Sequence, residues 1–190
     1  MIKMKADTNT IYNNLRRQTN WYVLTGGQSS SKTTTIKLLK ERRYKVAIEH
    51  ARHYLDTKLI NGKSVEEIWK NQIEFQLGIL DMQIEQEKDI SRDDVVFLDT
   101  AIPDSLACYR FLNLPEDKKL LDAIRTVFYK KIFILDPLPL MQDYARKEDE
   151  AAQKKIHALL IEVYESLPFP VIHVPVLEPD KRVDFILKKH

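Results

Sequence analysis

Apolar positions along the chain fall into short runs that alternate with long stripes. Trp21-Tyr22-Val23-Leu24-Thr25 is aromatic and β-branched, which predicts a buried strand. From Thr33 to Arg42, Ile36, Leu39 and the stem of Lys40 recur at helical spacing, which predicts a helix. Tyr44 to Glu49 reads as a second strand. Asn61-Gly62 is a turn, and Ser64 with Glu67 three residues on forms a capping box. The helix it opens carries Val65, Ile68, Trp69, Ile73, Leu77, Leu80 and Ile84 and is expected to run to about Lys88. Asp94 to Asp99 is a nearly all-apolar strand of the kind buried in a parallel sheet. Pro103 and Pro115 each suit the start of a helix. Lys131 to Asp136 is another buried strand, ended by Pro137-Leu138-Pro139. From Glu148 a stripe of Ile156, Leu159, Leu160, Val163, Tyr164 and Leu167 predicts a long helix, followed by a strand at 171–174 and a helix at 179–189. Strands alternating with helices predict an α/β fold with about five parallel strands and helices on both faces.

Composition narrows this further. At 190 residues the chain fits one domain with its own core, read here as 1–190 with an N-terminal extension at 1–19. Apolar residues at 44% and charged residues at 31% are globular proportions. A formal net charge of +2 carries no nucleic-acid footprint, so no nucleic-acid partner is expected. The lone Cys108 excludes an internal disulfide framework and fits a reducing compartment; it reads as a small buried apolar side chain. No apolar run suits a signal peptide or a membrane span, and the expectation is a soluble, cytoplasmic protein.

Only four glycines occur, and two are adjacent, Gly26 and Gly27, between the first strand and the first helix. Gly26-Gly27-Gln28-Ser29-Ser30-Ser31-Lys32-Thr33 overlays the P-loop pattern G-x-x-x-x-G-K-[ST] at every position but one. Small residues let successive N–H groups curl around phosphate oxygens, and the positive end of the following helix points at them. Lys32 is placed to reach the β- and γ-phosphates of ATP, and Thr33 to join a Mg²⁺ shell. The nucleotide-binding residues are therefore Gly27, Gln28, Ser29, Ser30, Ser31, Lys32, Thr33 and Thr34. Ser31 stands where the second glycine belongs, and its Cβ is expected to strain the loop or to lower nucleotide affinity.

Ligands of open α/β sheets bind beyond the carboxyl ends of the strands. Asp99 closes an apolar strand in the Walker B manner and is the second metal-facing residue beside Thr33. Glu49 closes the second strand, which is expected to lie close to the P-loop strand, and can accept a proton from a substrate hydroxyl. Asp136 precedes a proline and reads as a turn residue. His50 and His53 lack the further ligands of a zinc set.

With these residues the chain resembles the P-loop ATPase/kinase family labelled as an AAA domain, which includes the nicotinamide-riboside kinase domain and is distantly related to deoxynucleoside kinases. The resemblance runs from about Trp21 to Leu187. Its signposts are the loop at 26–34, Glu49-His50-Ala51-Arg52, Gln83-Ile84-Glu85-Gln86-Glu87 and Phe97-Leu98-Asp99-Thr100 with Asp104 and Tyr109. Asp143-Tyr144-Ala145-Arg146 and Arg182-Val183-Asp184-Phe185-Ile186 complete the order. The resemblance implies a three-layer P-loop sandwich and catalytic roles for Lys32, Glu49, Asp99 and Arg146, the last as a lid arginine within a lid at about 137–150. It also implies that Arg52, Gln83 and Glu87 face the substrate. Family members commonly carry Asp-Arg where this chain has Asp99-Thr100, and glycine where it has Ser31.

Three activities are compatible with this reading. The first is a kinase moving the γ-phosphoryl group of ATP to a nucleoside- or nucleotide-like small molecule. The second is an NTPase or nucleotide-gated binding module in which water replaces that acceptor. The third is a degenerate P-loop protein acting through partners. A GTPase is disfavoured because no [NT]-K-x-D element follows the fourth strand.

Overall fold

The structure is a computed structural model, and it describes residues 18–47, 54, 56, 70–138 and 147–190. Among these, five strands alternate with six helices. The strands are β1 (Trp21–Thr25), β2 (Lys45–Ala47), β3 (Val96–Asp99), β4 (Lys131–Leu135) and β5 (Val171–Val174). The helices are α1 (Lys32–Glu41), α2 (Gln72–Asp89), α3 (Ile102–Phe111), α4 (Lys118–Thr126), α5 (Lys147–Glu165) and α6 (Pro179–Lys189).

All strand pairs are parallel and the sheet order is β2-β3-β1-β4-β5. Parallel neighbours need crossovers, and helices on both faces bury both sides of each strand. Alternate residues of β1 serve the two faces. Trp21 and Val23 pack with Leu98, Ile132 and Ile134 against Leu80, Leu106, Leu120 and Leu160 of α2 to α5. Tyr22 and Leu24 pack with Phe97, Phe133 and Val174 against Leu39 of α1 and Val183 and Ile186 of α6. The two cores make the three-layer α/β sandwich expected of a P-loop fold.

Three expectations are corrected. The strand β2 lies at the sheet edge, paired with β3, so it is not next to the P-loop strand. The helix α2 begins at Gln72 under the cap of Asn71, whose side chain accepts from the N–H of Glu74; the capping box at Ser64 and Glu67 lies outside the described residues. Pro115 does not open a helix: Asp117 caps α4 by accepting from the N–H groups of Lys119 and Leu120. A carboxylate that takes up two otherwise orphaned N–H groups outcompetes a proline that only pre-sets φ.

Candidate nucleotide site

The loop joining β1 to α1 leaves the sheet at its carboxyl edge, in its middle. Gly26 has φ +147°, and a Cβ there would lie 2.6 Å from the carbonyl oxygen of Leu135, so only glycine fits. At Gly27 a Cβ would press against His157 and the Gln153 carbonyl of α5 at 3.2 and 3.3 Å. The two glycines thus let the loop pass between β4 and α5.

Four carbonyl groups of this loop, those of Gly26, Ser29, Ser30 and Ser31, accept hydrogen bonds. Lys32 Nζ donates to the Gly26 carbonyl at 2.8 Å, and the N–H of Leu138 donates to that of Ser29 at 3.0 Å. Arg182 donates to the Ser30 carbonyl at 2.6 Å, and Thr35 donates to that of Ser31 through both N–H and Oγ1. The Gly27 N–H donates to Nδ1 of His157 at 3.3 Å. The N–H groups of residues 28–34 have no acceptor among the described residues. N–H groups left without an acceptor at the start of a helix make a nest for an anion.

Ser31, in the glycine position, takes the left-handed conformation that explains the family's preference, with φ 59° and ψ 27°. Such a conformation costs a non-glycine residue about 1–2 kcal/mol. Ser29 is also left-handed, with φ 59°. A hydrogen bond to a charged donor, such as Arg182 to Ser30, contributes about 1.5–3 kcal/mol.

Asp99 ends β3 opposite Leu24, two residues before the loop, and is buried. Thr100, which follows it, is left-handed at φ 66° and donates its N–H to the Leu24 carbonyl at 3.0 Å. A β-branched residue in that region is a genuine outlier, of the sort that concentrates at functional sites.

A cavity of about 450 Å³ opens beside the loop, and its walls include Lys32, Gln83, Thr100 and Asp104, with Phe75 and Phe111 as apolar sides. Asp104 is buried at the β1–α3 junction. Its Oδ1 accepts from Thr25 Oγ1 at 2.5 Å, and its Oδ2 accepts from the Ala101 N–H at 2.9 Å and from the Tyr164 hydroxyl. Desolvation pushes its carboxyl above the ordinary range, opposed by those hydrogen bonds and by the charge of Lys32. His157 is held below its ordinary value by burial, with Asp136 raising it and His173 and Lys32 lowering it further. Cys108 borders the cavity, and burial pushes its thiol up to about 12, well above the ordinary range. Gln83 is buried in the cavity wall, where its Oε1 accepts from Ser105 Oγ at 3.0 Å.

Glu87 does not join these residues. It is bonded to the Tyr129 hydroxyl at 2.9 and 3.1 Å and borders a separate cavity of about 380 Å³ with Trp21 and Phe128. Burial pushes its carboxyl up to about 8. Gln76, one residue after Phe75, is buried in the main cavity wall and was missed by sequence reasoning; no motif marks it. Glu49, Arg52 and Arg146 lie outside the described residues, as does the lid segment from 139 to 146.

A parallel 2-3-1-4-5 sheet, a glycine-led phosphate nest after β1 and a cavity beside it define a P-loop protein with a kinase-like fold. The AAA-domain family model matches residues 21–182, and the chain belongs to that family. No curated protein matches it in sequence. Among solved structures it is similar to thymidylate kinase from Ehrlichia chaffeensis, with a TM-score of 0.62, 11% identity and coverage of 91% of this chain and 99% of that one. It is also similar to deoxyadenosine kinase from M. mycoides with dCMP and dCDP bound (TM-score 0.60, 14% identity, 89% and 97% covered). A third likeness is to NadR protein in complex with NR, with a TM-score of 0.61, 17% identity and 88% of this chain covered. This chain spans about half of NadR, 48% of its length. These likenesses show a shared fold. No described helix is long and apolar enough to cross a membrane.

Proposed function

We propose that the chain binds ATP at residues 26–34 and transfers its γ-phosphoryl group to a nucleoside- or nucleotide-like small molecule. The observation that carries this reading is the loop itself, in which the carbonyls of Gly26, Ser29, Ser30 and Ser31 are hydrogen-bonded while the N–H groups of 28–34 have no acceptor among the described residues. Polyphosphate oxygens complement that nest, and Lys32 exchanges its bond to the Gly26 carbonyl for them. The base lies in the recess of about 290 Å³ bordered by Thr34, Val176, Leu177 and Pro179, along the outer face of the first turn of α1.

The hydroxyl of Thr33 and the carboxylate of Asp99 are hard oxygen ligands suited to Mg²⁺, which when bound neutralises charge on the phosphate oxygens. The acceptor occupies the 450 Å³ cavity beside Lys32, between the apolar sides of Phe75 and Phe111 and against Gln83. Its hydroxyl oxygen forms the new bond to γ-phosphorus as the bond to ADP breaks, and its proton passes to Glu49, two residues beyond β2. Arg146, one residue before α5, screens the transferring phosphoryl group, and Arg52 binds the acceptor. Likenesses to proteins named deoxyadenosine kinase and thymidylate kinase support an acceptor of nucleoside or nucleotide type. A cavity of this size also favours a bound acceptor over water.

Calorimetry with ATP·Mg²⁺ tests the binding. Lys32→Ala is expected to weaken affinity about 10–100-fold, the worth of charge-assisted hydrogen bonds; equal affinities refute the assignment. For transfer, Glu49→Gln is expected to keep ATP binding while phosphorylation of the acceptor falls about 10²–10⁴-fold. Full transferase activity in that variant removes Glu49 as the base. Lys32-dependent hydrolysis with no nucleoside or nucleotide phosphorylated establishes the NTPase instead.

A further inference from the structure

Arg182 is the bulkiest fully buried side chain among the described residues, 1% exposed, and it lies behind the phosphate loop. It belongs to the first turn of α6, one turn beyond the N-cap Glu178, whose carbonyl accepts its N–H. The helix is fixed to α1 by Arg42, which pairs with Asp180 at 2.9 Å and with Asp184. From this anchored position Nη1 of Arg182 donates to the Ser30 carbonyl at 2.6 Å and Nη2 to the Pro175 carbonyl at 3.3 Å. Burying a guanidinium needs compensation, and here it comes from backbone carbonyls of two segments.

The Ser30 carbonyl and the Ser31 N–H belong to one planar trans peptide and point in opposite directions. Holding the carbonyl toward Arg182 turns the Ser31 N–H away from it, into the curl of the loop. The residue that must bend to allow this is Ser31, at φ 59°. A serine left to itself leaves the left-handed region, whereas a glycine enters it freely. The energies compared above are of similar size, so one charged hydrogen bond is enough to offset the serine's preference.

We propose that Arg182 is the positioning residue that holds Ser31 in its left-handed conformation, so that the loop presents its N–H groups to an anion without the usual glycine. The effect on ligands rests on the loop being the phosphate site; the effect on backbone conformation does not.

A double-mutant cycle over Ser31→Gly and Arg182→Lys tests this. Arg182→Lys keeps the charge and loses the fork. Its affinity for ATP·Mg²⁺ and for inorganic tripolyphosphate is expected to fall about tenfold. Adding Ser31→Gly to it should restore binding to within about threefold of the parent, which a purely structural arginine would not allow. In urea unfolding of the ligand-free proteins, Ser31→Gly should favour folding about fivefold more in the parent than beside Arg182→Lys, since only the parent holds a strained serine. Additive effects in urea, or no glycine rescue of binding in a parent that binds, overturn the proposal. If the parent binds neither ligand, the nucleotide reading fails and the urea cycle alone decides.

If Arg182→Lys does not fold, Arg182→Gln takes its place. If that also fails, NMR of the parent decides. Resolved, slowly exchanging Arg182 Nη protons are expected from a fixed bond to Ser30, and a freely rotating guanidinium overturns it.

Discussion

Glu87 carries its proton at pH values where an exposed glutamate has lost it. Burial raises its pKa from 4.5 to about 8, against the opposing hydrogen bonds of Tyr129 and the Ile102 backbone, and with the Asp104 charge adding to the rise. The folded-state pKa lies above the unfolded one, so the stability from this group is fully present below about pH 4.5. It is lost progressively as pH rises toward 8, and the total amounts to several kcal/mol. Glu87→Gln, a neutral isostere, is expected to flatten the fall in Tm between pH 5 and pH 8 and to exceed the parent's stability at pH 8. Thermal unfolding at pH 5, 6.5 and 8 checks it, and a variant whose profile runs parallel to the parent's refutes it. The same residue shows where sequence reasoning reached its limit. Gln83 and Glu87 sit four apart on one helix face, and both read as substrate-facing. Four residues advance a helix by about 6 Å, and that carries Glu87 from the cavity that Gln83 borders to a different one.

Between elements, Asp104 does more than cap α3. Its carboxylate takes up the Thr25 hydroxyl at the end of β1, the Ala101 N–H before α3 and the Tyr164 hydroxyl of α5. Three elements meet on one side chain, immediately before Gly26. Asp104→Asn leaves one accepting oxygen for three donors and turns an amide N–H₂ toward the others. A loss of about 1–3 kcal/mol is expected in urea unfolding, the cost of an unsatisfied buried group. A change under about 0.5 kcal/mol would show that the hydroxyls reorient freely. The elements themselves were legible, because each strand is a short apolar run and α1, α3, α5 and α6 carry period-3.6 stripes or helix-starting prolines. Asn71 with Glu74 is as good a start signal as Ser64 with Glu67, so pattern alone does not single out the cap that α2 uses. Arg182 was named only as a signpost of the resemblance. Nothing in Lys181-Arg182-Val183-Asp184 marks it as buried, and its burial follows from α6 docking behind a loop about 150 residues earlier in the chain.

At the scale of the whole molecule, alternating strands and helices spelled out a parallel sheet, but not its order. Order depends on which way each crossover turns, and local patterning carries no record of that. Hence β2, expected close to β1, stands one strand further out, with β3 between them. That insertion brings Asp99 alongside Leu24, two residues before the loop, by the same fact that moved β2 to the edge. The resulting site spans β1, β3, α1 and the cavity, and a ligand there ties together elements distant in sequence. Any ligand of the folded state stabilises by mass action, by about 2.7 kcal/mol at a hundred times its Kd. For a domain of this size that raises Tm by about 5–11 °C. If the loop is the phosphate site, ATP with Mg²⁺ is expected to give such a shift and adenosine alone a much smaller one. With the metal role proposed for Asp99, Asp99→Asn should reduce the ATP shift in Mg²⁺ and leave the shift in EDTA nearly unchanged. Equal losses in both buffers would assign Asp99 to the fold of the β3 terminus and leave Thr33 without a carboxylate partner at the metal.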